Sequence, residues 1–299
     1  MKKIVSVSLG SSKRNYSVEL EVLGEKVYIS RVGTDGDLGK MMQLIKQLDG
    51  EVDSIGLGGT DLYLQAGRKK YVILESLKFK KAIKKSFVTD GSLIKAVWEK
   101  KVVINLIEEG IISANSRVLV TTALDRYGIA EAFYNMGCSV VFGDFLFALN
   151  LPFPMRTLKA VNIAAAVLLP ILTHLPIRML YPVGKKQEEV KPRYEHFFHW
   201  AQVIAGDFHQ IRRYAPFNLE NKIILTNTVT SEDVEMLRNR GVSLLITTTP
   251  LWEDRSFGTN VLEGLMVAFL GKPQEKITKE EVEEFLQKIL IKPRIEKLN

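Results

Sequence analysis

Short apolar runs in this chain end, one after another, in clusters of small polar residues. Val118 to Thr122 closes on Thr121-Thr122, and Ser139 to Phe142 on Gly143-Asp144. Gln202 to Ala205 closes on Gly206-Asp207, Ile223 to Thr226 on Thr226-Asn227-Thr228, and Val242 to Ile246 on Thr247-Thr248-Thr249-Pro250. Helical patterns separate some of these runs: Tyr127 to Met136, stopped by Gly137, and Glu232 to Arg240. Strands that alternate with helices need crossover connections, and those build a largely parallel sheet covered on both faces. Residues 113–299 are therefore read as a Rossmann-like α/β domain. Residues 1–112 are read as a smaller N-terminal α+β domain. It has two β-hairpins, one turning at Gly24-Glu25 and one at Ala66-Gly67-Arg68, and a helix from Asp37 to Leu48.

A length of 299 residues suits two domains. An apolar fraction of 46% and a charged fraction of 25% exclude a disordered or fibrous chain. The single cysteine, Cys138, excludes an intrachain disulfide framework and all-Cys metal sites. The opening Met1-Lys2-Lys3 and short alternating run to Leu9 read as a strand rather than a signal peptide, so a cytoplasmic protein is expected. The net charge of +7 comes partly from local lysine runs, Lys78 to Lys85 and Lys185-Lys186, without interleaved aromatics. A solvated face or attraction for an anionic ligand explains them better than nucleic-acid binding. The apolar stretch from Ala160 to Ile177 is interrupted by Asn162, Pro170, His174 and Pro176. It is a poor membrane span and is expected to be a buried or subunit-interface helix, consistent with a homodimer.

Ligands of open parallel sheets bind beyond the carboxyl ends of the strands, where the polar clusters converge. The unit from Val118 to Asp144 has the strand, helix and terminal acid of a dinucleotide site. Asp144 follows Thr122 at roughly the ~20-residue offset of a ribose-binding carboxylate. The Gly-rich turn is absent, and Asp125 stands where a pyrophosphate would lie, offset by Arg126. Thr121, Thr122, Asp125, Arg126 and Asp144 are the candidate cofactor residues here, for NAD or NADP. A second anion site is read from Thr247, Thr248, Thr249 and Arg255, ahead of the helix from Gly258. Asp207, His209, Arg212 and Arg213 form the densest reactive group. Asp207 with His209 suits acid–base work and an arginine suits a substrate carboxylate, while helix capping is the alternative. His196 and His199 match no standard zinc spacing, and no metal is expected.

Four segments carry a family resemblance: Val32-Gly33-Thr34-Asp35-Gly36-Asp37, Gly56-Leu57-Gly58-Gly59-Thr60-Asp61-Leu62-Tyr63, Ala205-Gly206-Asp207-Phe208-His209 and Thr248-Thr249-Pro250. Over nearly the whole chain the sequence resembles a bacterial family labelled quinate 5-dehydrogenase. That resemblance implies oxidation of quinate to 3-dehydroquinate with a nicotinamide cofactor. The Asn-x-Thr-x-Pro-x-Lys segment and Gly-Ala-Gly-Gly turn of shikimate and quinate dehydrogenases are missing, so no catalytic lysine is placed. Two expectations stand. One is an NAD(P)-dependent oxidoreductase acting on a small hydroxy acid such as quinate. The other is a non-catalytic or regulatory protein holding an anionic metabolite in the same crevice.

Overall fold

The computed structural model describes residues 1–67, 69–180, 189–252 and 255–299, without the Arg255 side chain; Lys185-Lys186 lies outside the described residues. The first sheet begins with β1 (Lys2–Ser8), β2 (Tyr16–Val22) and β3 (Glu25–Gly33), followed by α1 (Leu38–Leu48) and β4 (Ser54–Gly58). A small hairpin of β5 (Tyr63–Ala66) and β6 (Lys69–Val72) leads to α2 (Ser76–Ala82) and β7 (Phe87–Thr89). The strand order is β2-β3-β1-β4-β7, parallel apart from the β2–β3 hairpin. The crossover helix α1 explains the parallel pairing, because a strand returning in the same direction needs a covering connection. Asp37 caps α1 by accepting from the Lys40 N–H at 3.0 Å.

The chain passes to the second lobe through a helical stretch, Ile94–Trp98, that continues as α3 (Glu99–Glu108). Then come β8 (Arg117–Val120), α4 (Tyr127–Asn135), β9 (Ser139–Phe142), α5 (Leu158–Leu172), α6 (Ile177–Leu180) and α7 (Glu195–Trp200). β10 (Val203–Ala205), α8 (Phe208–Tyr214), β11 (Ile223–Thr226), α9 (Ser231–Asn239) and β12 (Leu244–Thr247) follow. The remainder is a two-strand ribbon, β13 (Leu251–Trp252) and β14 (Arg255–Ser256), then α10 (Thr259–Leu270), α11 (Lys279–Lys288) and β15 (Arg294–Lys297). The sheet runs β15-β12-β11-β10-β8-β9, with only β15 antiparallel. The molecule is thus α/β with a Rossmann-like parallel sheet.

Period-two alternation sorts the side chains. Val118, Val120, Val203, Ala205, Leu225 and Ile246 face a core shared with the first lobe. Their neighbours Leu119, Ile204, Ile224 and Leu245 face a separate outer core. In the first lobe, Val5 and Val7 pack with α1 residues Met41 and Ile45, while Ile4 joins the shared core. α10 packs on β1, β4 and β7, far from it in sequence. Ser54 Oγ donates to the Gly264 carbonyl at 3.0 Å, and Thr89 Oγ1 to the Asn260 carbonyl at 2.9 Å. A Cβ on Gly264 would stand 2.9 Å from Ser54 Oγ and 3.0 Å from Ile4, so glycine lets helix and sheet approach.

α5, read from its composition as a buried or subunit-interface helix, is buried along one face only. Val161, Ala165 and Leu169 are buried, but Ile163, Val167 and Ile171 are 57%, 63% and 66% exposed. No helix among the described residues is long and apolar enough to cross a membrane.

Candidate functional site

Each sheet reverses its winding beside its first strand, β1 in one and β8 in the other. Crevices form at such points, because the connections on either side leave in opposite directions. The strand ends at both reversals open into one interlobe cleft. Its larger chamber has a volume of about 250 Å³. One wall follows β4, with Gly59, Thr60 and Asp61; another carries Thr122, Asp125, Arg126, Asp144 and Asp207 from the second lobe. Leu124, Phe145, Ala164, Leu168, Leu169 and Leu172 make the remaining wall apolar. A smaller chamber of about 130 Å³ adjoins it, sharing Gly58, Asp207, His209, Asn227 and Asn260.

A buried ionic chain lines the polar end. Lys95 Nζ contacts Asp61 Oδ1 at 2.7 Å and Asp125 Oδ1 at 2.8 Å, joining the two lobes. Arg126 reaches Glu99 at 2.6 Å, Asp125 at 3.2 Å and Asp207 at 3.2 Å. Thr248 Oγ1 donates to the same Glu99 oxygen at 2.9 Å. Burial raises Asp61 above the usual carboxylate range despite Lys95. Burial pushes Asp125 the same way, but Lys95 and Arg126 outweigh it and hold that carboxyl low. Burial and the neighbouring cations thus pull the adjacent carboxyls apart, Asp61 upward and Asp125 downward, as expected of such a pair.

Several residues expected at the site have other work. Asp144 accepts from the Ala123 and Leu124 amides at 3.1 and 3.0 Å, so both its oxygens hold the loop rather than a ribose. Burial lifts its carboxyl to about 6 against those amides. Thr121 is fully buried under Gly206. Thr247 and Thr249 donate to the backbone carbonyls of Thr249 and Asn227, at 2.8 and 2.7 Å, and Thr248 is spent on Glu99. Arg212 pairs with Asp233 at 3.2 Å and lines neither chamber. The Arg255 side chain lies outside the described residues. Thr122, Asp125, Arg126, Asp207 and His209 are brought together at the cleft.

Asp207 and His209 do not form an acid–base pair through the imidazole. Asp207 Oδ1 caps α8, accepting from the His209 backbone N–H at 2.9 Å. His209 Nε2 lies 3.1 Å from Arg14 Nη1. A guanidinium only donates, so Nε2 accepts and the proton of the neutral ring is on Nδ1. Burial pushes the ring down to about 4, against the pull of Asp207. Among the described residues, no cluster of His, Cys, Asp and Glu is placed to hold a metal.

Lys95, Glu99, Arg14 and Arg31 escaped sequence reasoning. Lys95 and Glu99 carried a signal: they extend back along the helical stripe of Val102, Val103 and Leu106, all buried. Charge on a core-facing stripe marks an internal ion pair.

A family model described as Domain of unknown function (DUF8754) matches residues 93–298. The chain belongs to the DUF8754 family. A second model, Domain of unknown function (DUF8753), matches residues 3–90 of this DUF8754 chain. No curated protein matches it. Among solved structures, it is similar to a galactofuranose binding protein, with 12% identity, 97% of this chain and 99% of that chain covered, and a TM-score of 0.38. It is similar to an ABC transporter periplasmic solute binding protein from Actinobacillus succinogenes 130z with bound D-allose, at 10% identity, 100% and 98% coverage and a TM-score of 0.38. A glucose-galactose binding protein from Geobacillus stearothermophilus gives 8% identity, 99% and 97% coverage and a TM-score of 0.36. At such scores these likenesses say nothing of what a DUF8754 chain binds.

The family finding corrects the resemblance to quinate 5-dehydrogenases: the models that match the chain, over residues 93–298 and 3–90, are domains of unknown function. The NAD(P)-dependent oxidoreductase reading falls with it. Its physical basis is also missing, since Asp144 is occupied by loop amides and Asp207 by a helix cap.

Proposed function

We propose that the protein is a non-catalytic binding protein that takes one small metabolite between its lobes. The observation that carries this reading is the cleft itself: the strand ends at the winding reversals of both sheets open into one cavity with a polar end and an apolar wall. The polar end is a set of internally paired charges. Lys95 and Arg126 are each matched by acids, so the wall offers oriented hydrogen-bonding groups without an unpaired cation to neutralise. Thr122 Oγ1 is buried there without a partner, a hydroxyl suited to a ligand atom. The apolar body of the ligand lies against Leu124, Phe145 and the inner face of α5. A few directed polar groups within a mostly apolar lining are the usual make-up of a small-molecule site.

The test is thermal unfolding with 1-hexanol and with hexyl phosphate, for the wild type and for Leu168→Trp, which fills the apolar wall. A ligand at 100 times its Kd adds about 2.7 kcal/mol to the folded state. The wild-type midpoint rises by several degrees with at least one probe, and Leu168→Trp loses the rise. No rise with either probe, or an equal rise in the filled variant, removes this reading.

A further inference from the structure

We propose that the smaller chamber is an oxyanion site, so that the metabolite carries a phosphate or carboxylate end group there and an apolar body in the larger chamber. This deepens the binding reading above and rests on it. The two chambers are contiguous through Asp207, His209 and Asn260, so a single ligand spans both.

The chamber's chemistry differs from that of its neighbour. Its charged lining groups are Arg14, Arg31 and Asp207, a cationic balance. Arg31 is fixed by the Ser11 carbonyl at 3.0 Å and Ser8 Oγ at 3.1 Å, and Arg14 by Asp233 Oδ2 at 3.1 Å and His209. Both guanidiniums are thus held in place by partners around the chamber, the preorganisation that oxyanion recognition needs. Hydroxyls add donors. Ser6 Oγ accepts from Asn260 Nδ2 at 2.8 Å, and Ser8 Oγ accepts from the Gly10 amide and Arg31, which turns each Ser proton to other use. These serines stand on the face of β1 that also carries Ile4, and both are buried at the end of the strand that meets the chamber.

His209 supplies a further donor. With Nε2 accepting from Arg14, its Nδ1 proton is buried and has no partner. Finally, Gly258 begins α10 at this chamber with no side-chain cap, so the positive end of a 12-residue helix is left to whatever occupies the space. A Cβ on Gly258 would lie 2.5 Å from Asn260 Oδ1 and displace the amide whose Nδ2 holds Ser6 Oγ. Cations, hydroxyls, an imidazole N–H and a helix N-terminus on one small volume fit an oxyanion better than a sugar hydroxyl or an amine.

The experiment measures Kd by calorimetry for hexyl phosphate, hexanoate and 1-hexanol on the full chain, with inorganic phosphate as competitor. At least one of the anions binds at least tenfold tighter than hexanol; comparing hexyl phosphate with hexanoate identifies the end group. Inorganic phosphate displaces that anion and leaves hexanol bound. Arg31→Gln removes the anion preference, read as the ratio of hexanol to anion Kd within that same protein; the competition arm needs no variant and stands if that protein fails to fold. Equal affinity for all three probes, with no effect of inorganic phosphate, overturns the oxyanion site and leaves the binding cleft intact. Absence of binding by every probe overturns both.

Discussion

At the scale of single residues, Arg126 and Glu263 show what burial demands of a charge. Arg126 is 2% exposed and touches three acids. Arg126→Met leaves Glu99 buried without its cation, and breaking a buried pair from one side costs about 3–5 kcal/mol. Urea unfolding should show that loss. Glu263 is fully buried on α10, where one oxygen accepts from the Leu93 amide at 2.8 Å and the other has no partner. Burial, with Asp90 nearby, pushes its carboxyl from 4.5 to about 8. The folded state therefore holds a proton that the unfolded chain gives up above pH 4.5, and stability falls as pH rises through the window to about 8. The slope for one proton is at most about 1.4 kcal/mol per pH unit. Glu263→Gln should flatten this decline in thermal midpoints measured from pH 5 to 8; an unchanged slope would refute the assignment. Sequence reasoning reached Asp125, Arg126 and Asp207 because strand ends announce themselves by composition. It missed Arg14 and Arg31, whose meaning depends on a second lobe brought against them only in three dimensions.

At the scale of elements, α5 is the instructive case. Its composition is apolar all round, and a one-dimensional pattern cannot say which face meets the core when every face qualifies. The structure buries Val161, Ala165 and Leu169 and leaves Ile163, Val167 and Ile171 in solvent. Leu169→Lys should therefore cost several kcal/mol, since it places an unpaired ammonium among apolar neighbours. Val167→Lys should shift stability by no more than about 0.5 kcal/mol. Paired thermal melts of the two variants check the orientation; equal losses would contradict it. The hairpins and the helix after Asp37 were easier to read, because turn glycines and a capping carboxylate are local signals. The first sheet was harder. Its parallel pairing depends on which strand lies beside β1, and nothing local in β3 or β4 states that.

At the scale of the whole molecule, ion pairs tie one lobe to the other across the cleft. Lys95 links Asp61 to Asp125, and Arg14 links β1's following turn to Asp233 on α9. Lys95→Met leaves two carboxylates facing each other at the cleft floor. The expected result is a lower melting midpoint and a larger radius of gyration by small-angle scattering. A lower midpoint with an unchanged radius would show that Lys95 stabilises the site without holding the lobes together.

The packing of α10 on the first sheet bears on inheritance. The two family models divide this chain near residue 91, yet the helix from Thr259 to Leu270 falls in the second and shields β1, β4 and β7 of the first. The first segment does not carry a finished lobe. A fragment ending there should precipitate when expressed alone and be rescued when its complement is made in the same cell. Recombination at that junction trades a sheet away from its own cover. The two segments are then constrained to evolve as partners, each recording changes in the other at Gly264, Ser54 and Asn260.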